Sequence, residues 1–575
     1  MKKTVALLLA MVMLVGIISA CGKKEDSGNV SPGTTSSPNP GTTSNPNPGT
    51  TGNPSPGTTS NPSPGTTGNP SPGTTDKPAE KVNPSDKTLN IAFSSQPNSW
   101  QQLTMPIGSV NVALQIDVLY DTLINYDSDT GGLLPNLATS WEWINDLTLR
   151  LKLLEGVTSI NGDPFTADDV VYTIKAGCEE ITLASYYSAI LDPDNTKAVD
   201  KYTVDIAVKE KYPFLPLDLT HNAYQMSVEA SVNAAGGLAA TRTNPISGTG
   251  PYKMVEHVDS QYAKFERRND YWGTLPYYKT VVLYFVPDSN TRGMGLEAGE
   301  YDYIQRPSSA ICNSLKNDPD YKVLYSKNEA VVIFPMNSNR EPFNIKEVRQ
   351  AIALAIDYNA ILQVAIGGAG ETVNSPFSPT SQAYHPINPS KPNYLGKYDP
   401  AAAKQKLIEA GYPNGFTMSI TYRSNDSIWV NSAEIIQNNL KAIGITVNLN
   451  PVDNAVFYTD SETGNHDSLI WTQQNPNPRR MIQILDDRYI QCNVEAGWIT
   501  QDIMDLFDRG LTELNDDARY KIFGEITDIL REQVPLVPLV QANTAHLMNS
   551  KIIHFKTCSY GVIKVESVWE EGYLG

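Results

Sequence analysis

The sequence predicts a two-lobed α/β protein at the end of a long, unstructured stalk. Three observations carry that prediction. At 575 residues the chain is too long for one compact core. Beyond residue 87, helical and strand-like patterns alternate in two separated blocks. Before them runs a Pro/Gly/Thr repeat with almost nothing apolar in it.

The chain opens Met1-Lys2-Lys3, continues with an apolar run from Val5 to Ile18, and reaches Ser19-Ala20-Cys21. Two lysines before roughly 15 hydrophobic residues make a secretory signal, too short to span a bilayer comfortably. Ile18-Ser19-Ala20-Cys21 resembles the bacterial lipobox, in which small residues before a Cys admit the processing peptidase. The thiol of Cys21 would then be acylated and Cys21 would become the new N-terminus. Burial is worth ~0.8 kcal/mol per CH₂, so two or three chains make a durable anchor where one does not. The alternative is an ordinary signal peptide with an incidental Cys.

From Pro32 to Thr75 the motif Pro-Gly-Thr-Thr-x-x-Pro-x recurs with a period of eight, set by Gly33, Gly41, Gly49, Gly57, Gly65 and Gly73. A solenoid of that period needs apolar residues to stack, and none are present. No core offsets the entropy of ordering such a chain. At ~3.1 Å per residue its reach is at most on the order of 140 Å. A stalk that long suits a Gram-positive surface better than a narrow periplasm.

The chain carries 44 Lys and Arg against 62 Asp and Glu, a net charge of −18. Lys2 and Lys3 leave with the signal, and residues 22–87 hold equal numbers of acids and bases. Residues 88–575 therefore hold −20. A body that acidic repels phosphate backbones and anionic headgroups, which excludes a nucleic-acid role. Cys178, Cys312, Cys492 and Cys558 form no CxxC pair, so a zinc or thioredoxin-like site is not indicated. Export permits disulfides, but spacing fixes no pairing, and free buried thiols are the simpler reading. The six His are scattered, with no pair at metal-ligand spacing, and no cofactor is implied.

The body starts near Lys87. Thr88–Phe93 alternates as a first strand, followed by a Ser94-Ser95-Gln96-Pro97-Asn98 loop. Val112 to Leu123 places Val112, Ile116, Leu119 and Leu123 on one helical stripe. Trp141-Glu142-Trp143 and Leu147–Leu153 alternate around an Asn145-Asp146 turn and read as a hairpin. Thr166 opens a helix as N-cap, and Asp169 completes a capping box. The cap explains the paired acids Asp168 and Asp169 more simply than acid–base chemistry does. Glu347 to Val364 reads as one long helix stopped by Gly367-Gly368. That glycine run follows a helix rather than opening one, so it is no phosphate cradle. Ala401–Ala410 and Ser432–Ile443 read as amphipathic helices, followed by strands at Thr417–Tyr422 and Ile445–Leu449.

In order along the body come Leu133-Leu134-Pro135-Asn136-Leu137-Ala138-Thr139-Ser140-Trp141-Glu142, Asn161-Gly162-Asp163-Pro164-Phe165-Thr166-Ala167-Asp168-Asp169-Val170-Val171-Tyr172, Gly248-Thr249-Gly250-Pro251-Tyr252 and Arg268-Asn269-Asp270-Tyr271-Trp272-Gly273. Glu297–Asp302, Pro342-Phe343 with Val348-Arg349-Gln350-Ala351, and Tyr398–Ala403 before Ala410-Gly411-Tyr412 follow. Together these resemble the motifs of family 5 extracytoplasmic solute-binding proteins, the oligopeptide- and dipeptide-binding components of ABC importers. The resemblance implies a bilobed periplasmic-binding-protein-like fold (type II, cluster C), closing over ligand about a hinge. It implies lobe I at about 88–125, 246–333 and 537–575, an inserted subdomain at 126–245, and lobe II at 334–536. A monomer is implied, delivering ligand to membrane permease and ATPase subunits. Most matched residues are structural by chemistry: Gly for turns, Asp for caps, Trp for core.

Dipeptide-binding members hold a zwitterion between an Arg and an Asp. The position matching that Arg is Ser427, with a matching aromatic at Trp429 and Arg423 four residues before Ser427. In Trp471-Thr472-Gln473-Gln474-Asn475-Pro476-Asn477, amides replace both acids of the matching segment, and Asn477 stands where the amine-binding Asp would be. An unmatched charge in a closed, dry cleft costs several kcal/mol. The expected ligand is therefore a longer peptide, held by backbone hydrogen bonds. The alternative is a neutral oligosaccharide stacked on Trp429 and Trp471, with Gln473, Gln474, Asn475 and Asn477 bonding its hydroxyls. Ser94, Ser95, Ser109 and Asn111, after the first strand, complete the candidate contact set.

A wall-tethered hydrolase is the competing class. The chain lacks GxSxG, HExxH and the P-loop pattern, and a glycosidase carboxylate pair has no diagnostic spacing. The expectation is a receptor, not an enzyme.

Overall fold

The structure is a computed structural model. It describes residues 84–104, 117–127, 130–179, 187–327, 330–379, 381–474, 477–486, 498–558 and 563–570. The lipobox, the repeat, Ser109, Asn111, Asn475 and Cys492 lie outside those residues.

Thr88–Phe93 buries Leu89, Ile91, Ala92 and Phe93 because it has a parallel neighbour on each side and side chains on both faces. It is central in a seven-stranded sheet ordered Tyr321–Ser326, Thr544–Asn549, Tyr303–Gln305, Thr88–Phe93, Thr280–Phe285, Tyr262–Arg267, Tyr252–Val258. The three parallel strands at its middle, 280–285, 88–93 and 303–305, end at one edge. One face carries Leu89, Ile91, Tyr252 and Phe265 in a cluster with Trp100 and Tyr278. The other carries Ala92, Ile304 and Leu547 in a cluster with Leu296.

A second body is built on a three-stranded parallel sheet, Thr446–Val452, Thr417–Arg423 and Ser468–Leu469. Beside it lies a four-stranded sheet ordered Gly370–Thr372, Leu536–Ala542, Ala330–Pro335, Trp471–Gln474. The chain passes between the bodies where Tyr321–Ser326 gives way to Ala330–Pro335. It returns where Leu536–Ala542 runs through Asn543 into Thr544–Asn549. This is the bilobed plan with crossing strands. A third sheet, antiparallel, comprises Ala138–Asn145, Thr148–Leu153, Thr203–Ala207 and Lys197–Asp200, with the helix Ala167–Glu179 packed on it.

The hairpin forms, and so does half of the capping box: Asp169 Oδ2 accepts from the Thr166 backbone N–H at 2.8 Å and from its hydroxyl at 3.0 Å, while the Asp169 N–H goes to the Thr166 carbonyl at 3.2 Å and not to its side chain. Two helix readings are corrected. The described part of Val112–Leu123 is not helical: residues 117–119 form a turn, and Thr122 bridges to Gln225. The carbonyls of Val118 and Leu119 accept from Tyr252 and Gly250, both at 3.0 Å, and so leave no i→i+4 ladder. A Cβ on Gly248 would lie 1.9 Å from the Leu119 carbonyl oxygen, which explains why glycine stands there. The long helix expected at Glu347–Val364 is two, Lys346–Ala355 and Tyr358–Val364. Asp357 breaks it, capping the second helix through Ala360 while its own N–H goes to Asn439.

Cys178 and Cys312 are free thiols, and burial pushes each up to about 11. Among the described residues no helix is long and apolar enough to cross a membrane, and no group of three or more His, Cys, Asp or Glu is placed to hold a metal.

Candidate functional site

In open α/β sheets, ligands bind outside the carboxyl ends of parallel strands, where connections diverge and loops are free to carry side chains. Each body here has such an edge. On the first, Thr88–Phe93 runs out into Ser94 and Ser95, both exposed, and Tyr303–Gln305 into Arg306. On the second, Thr417–Arg423 ends at Arg423, and Ser468–Leu469 leads to Trp471. Arg306, on the first edge, and Asp426, on the second, lie within electrostatic range of each other.

On the second edge, Asp426 is the N-cap of the helix Ser427–Ala442. Its Oδ1 accepts the N–H groups of Ile428 at 3.1 Å and Trp429 at 3.3 Å, and its Oδ2 accepts Arg423 Nη2 at 3.0 Å. The cap sets the helix start five residues earlier than the apolar pattern, so Ser427 is its exposed first residue. The Arg423 guanidinium lies 3.9 Å from the Trp429 ring centroid, a cation–π contact. Trp429 is buried, donates Nε1–H to Thr472 Oγ1 at 2.8 Å, and packs on Phe457 at 5.0 Å. Trp471 is half-buried and continues this aromatic series to Phe457 at 5.5 Å and to exposed Tyr458 at 5.9 Å. Gln473 sits on the same strand, half-buried and in register with Val331, and Gln474 pairs with Ala330.

Asn477 lies elsewhere. It caps the helix Pro478–Leu485, its Oδ1 accepting the Arg479 N–H at 3.0 Å. Its Nδ2 donates to Tyr212 Oη at 2.6 Å and to Asp218 Oδ1 at 2.8 Å, and Tyr212 Oη donates to Asp218 Oδ2 at 2.6 Å. Burial raises the Asp218 carboxyl above its ordinary value, against the pull of these donors and of Arg479 and Arg480. Arg479 reaches Glu210 at 3.8 Å, and Phe214 meets Phe523 edge-on at 6.2 Å. Segment 210–218, from the part of the chain that carries the third sheet, thus packs against the second body around Asn477.

The structure brings Arg423, Ser427, Trp429, Trp471 and Gln473 to one edge, with Ser94 and Ser95 at the end of the parallel strand beside Arg306's. Sequence reasoning missed Arg306, Asp218 and Tyr458. A basic residue wedged between a strand and Pro307 was the one signal for Arg306. It holds a left-handed backbone, φ 48°, uncommon outside glycine. Its side chain is exposed. Desolvation lowers its guanidinium pKa, against the Asp426 carboxylate and the Tyr303 phenol.

The family model of "Bacterial extracellular solute-binding proteins, family 5 Middle" matches residues 132–487. The chain is 27% identical over 453 residues to heme-binding protein A of Haemophilus influenzae, covering 74% of this chain and 82% of that protein. It is 26% identical over 453 residues to the peptide transport periplasmic protein SapA of Salmonella typhimurium, covering 74% and 81%. The structure of HbpA2 from Haemophilus parasuis superposes with a TM-score of 0.74 at 22% identity, covering 84% of this chain and all of that one.

Proposed function

The chain belongs to family 5 of the bacterial extracellular solute-binding proteins, and from that premise we propose that it captures oligopeptides rather than dipeptides and delivers them to an ABC permease. Members of this family are solute-binding components of importers, not enzymes. In this reading the lobes fall at 88–125 with 246–333 and 537–575, and at 334–536, with the insert at 126–245. Lipidated Cys21 and the repeat tether the receptor to the outer face of the cytoplasmic membrane. Closure over the ligand makes the shape that the permease recognises.

One observation carries the preference for longer peptides. The position that the resemblance gives to a dipeptide's amine is Asn477, and both ends of its amide are engaged: Oδ1 in the helix cap, Nδ2 with Asp218 and Tyr212. Both Asp218 oxygens already accept hydrogen bonds there. A lone ammonium buried at that point would find an amide where a dipeptide-binding site has a carboxylate, and would have to compete with Asn477 and Tyr212 for Asp218. A longer peptide leaves its amine in water and is held along its backbone. The oligosaccharide alternative loses a stacking platform, since Trp429 is buried beneath Arg423.

Native mass spectrometry of the protein as purified from cells tests this directly. The expected spectrum shows a chain beginning at acylated Cys21 with retained peptides of about four residues or more. Titration with di-, tri-, penta- and nonapeptides should show affinity rising with length. A dipeptide bound at a Kd of about 1 μM, worth about 8 kcal/mol, or a retained sugar, overturns the reading.

A further inference from the structure

We propose that segment 210–218 and Asn477 form a latch that holds the receptor shut before any ligand arrives. The inference rests on the hinged-receptor reading above and is independent of what the ligand is.

The chain links the two bodies where Ser326 leads on to Ala330 and again at Asn543. A few residues at such crossings can absorb a rotation of one body against the other. A further bridge restrains that rotation. The insert, 126–245, is bonded to the first body at its root, where buried Gln101 and Gln102 reach into it. Gln101 Nε2 donates to Thr241 Oγ1 at 3.0 Å, and Gln102 Nε2 donates to the Gln225 carbonyl at 2.6 Å and to Ser227 Oγ at 3.2 Å. The Ile160 N–H donates to the Gly248 carbonyl at 2.7 Å.

The tip of the insert meets the second body. There Asn477 Nδ2 donates to Tyr212 Oη and to Asp218 Oδ1, Tyr212 Oη donates to Asp218 Oδ2, and Arg479 reaches Glu210. The Arg479 guanidinium lies 5.1 Å from the Tyr212 ring centroid. Phe214 sits against Phe523, with the Arg519 guanidinium 5.3 Å from its ring. An insert tied to both bodies away from the hinge lets them part only if one tie opens.

The tie at the tip is the one built to open. Its centre is polar: a carboxylate, a phenol, an amide and a guanidinium. Each of these finds water when the surfaces part, so separation exchanges hydrogen bonds rather than losing them. Polar contacts inside a chain resemble transient interfaces, whereas fixed ones are large and apolar. The single aromatic contact, Phe214 on Phe523, biases the pair toward the shut state. Asn477 also lies three residues beyond the strand Trp471–Gln474, so the latch sets where that wall of candidate contacts stands. A latch of this kind favours the empty and the filled shut states equally. Weakening it therefore speeds ligand entry and exit alike and leaves Kd nearly unchanged.

The test uses the intact chain with a donor and an acceptor dye, attached by chemistry that spares its thiols. One is placed at exposed Val199 on the third sheet, the other at exposed Ile408 on the helix Pro400–Glu409. Ligand-free wild type should show one short distance. Asp218→Ala removes the acceptor of two bonds and should populate a longer distance, shifting the shut-to-open ratio about 10- to 100-fold. Tyr212→Phe keeps the ring and should shift it about 2- to 10-fold. A fluorescein-labelled pentapeptide, mixed by stopped flow, should enter and leave Asp218→Ala faster than wild type by a common factor. A contact that only stabilised the fold would lower the bound fraction and would not raise the association rate. Arg150→Gln breaks an ion pair of the third sheet that the latch does not include, and should leave distance and rates as in wild type. Equal distances in wild type, Asp218→Ala and Tyr212→Phe, or the same shift in Arg150→Gln, overturn the latch and leave the peptide reading intact. A pentapeptide that binds neither wild type nor any variant overturns the peptide reading, while the dye distances still decide the latch.

Discussion

Two polar clusters of this protein, both built around an aspartate, behave in opposite ways. Around Asp121 every donor is matched: its carboxylate accepts Trp272 Nε1–H at 3.0 Å, Thr249 Oγ1–H at 2.9 Å and Tyr271 Oη–H at 3.2 Å. Arg268, nearby and buried, donates to the carbonyls of Thr249, Gly250 and Thr158. At the edge of the second body, Arg423 pairs with Asp426 and stacks on Trp429, and its Nε is buried without an acceptor. The recurring segments Gly248–Tyr252 and Arg268–Gly273 converge on the first cluster, whereas the second has no motif at all. Closed networks fix a fold; open ones leave room for a guest.

The largest effect should come from breaking the closed cluster. Asp121→Leu strands three donors in the interior, at about 1–3 kcal/mol each, and should cost on the order of 4 kcal/mol in urea unfolding. A loss under about 1 kcal/mol would erase the contrast between the regions.

The next test uses Asp117, four residues upstream. Its carboxyl is pushed up to about 8 by burial first and by the nearby Glu566 second, with Gln225 Nε2 donating to it at 2.6 Å. A carboxyl whose folded pKa exceeds its unfolded value of about 3.9 contributes stability at acid pH and loses it as pH rises toward 8. Asp117→Asn, neutral at every pH, should therefore match wild type near pH 4 and exceed it by on the order of 4 kcal/mol at pH 7, each pH unit being worth about 1.4 kcal/mol. Parallel stability–pH curves for the two proteins would refute this.

The smallest effect belongs to the cleft. Arg423→Gln removes a partly exposed ion pair and a cation–π contact, together worth about 1 kcal/mol or less. Its melting temperature should fall by only a few degrees while peptide binding falls about tenfold or more. A stability loss as large as that of Asp121→Leu would make Arg423 a fold residue.

Much of this architecture was legible because its determinants are local. The first strand, the Thr166–Asp169 cap and the helix Pro400–Glu409 each follow from a few adjacent residues. The misread elements failed where distant groups took over the backbone: Gly250 and Tyr252 claim the carbonyls of 118–119, and Asn439 claims the N–H of Asp357. Arg423, Trp429 and Trp471 were recognised in the sequence because they lie near matched motifs. Asp218 and Arg306 were not, since each gains its meaning from a partner far along the chain.

The sequence by itself determined the class of this protein, because glycines, caps and aromatic anchors act at short range and tolerate little else. Only the tertiary structure decided which polar groups meet. Whether Asn477 faces a ligand or a neighbour depends on Tyr212 and Asp218, brought within a few ångströms of it across hundreds of positions. Electrostatic balance is a sum over neighbours in space, and no local pattern encodes that sum.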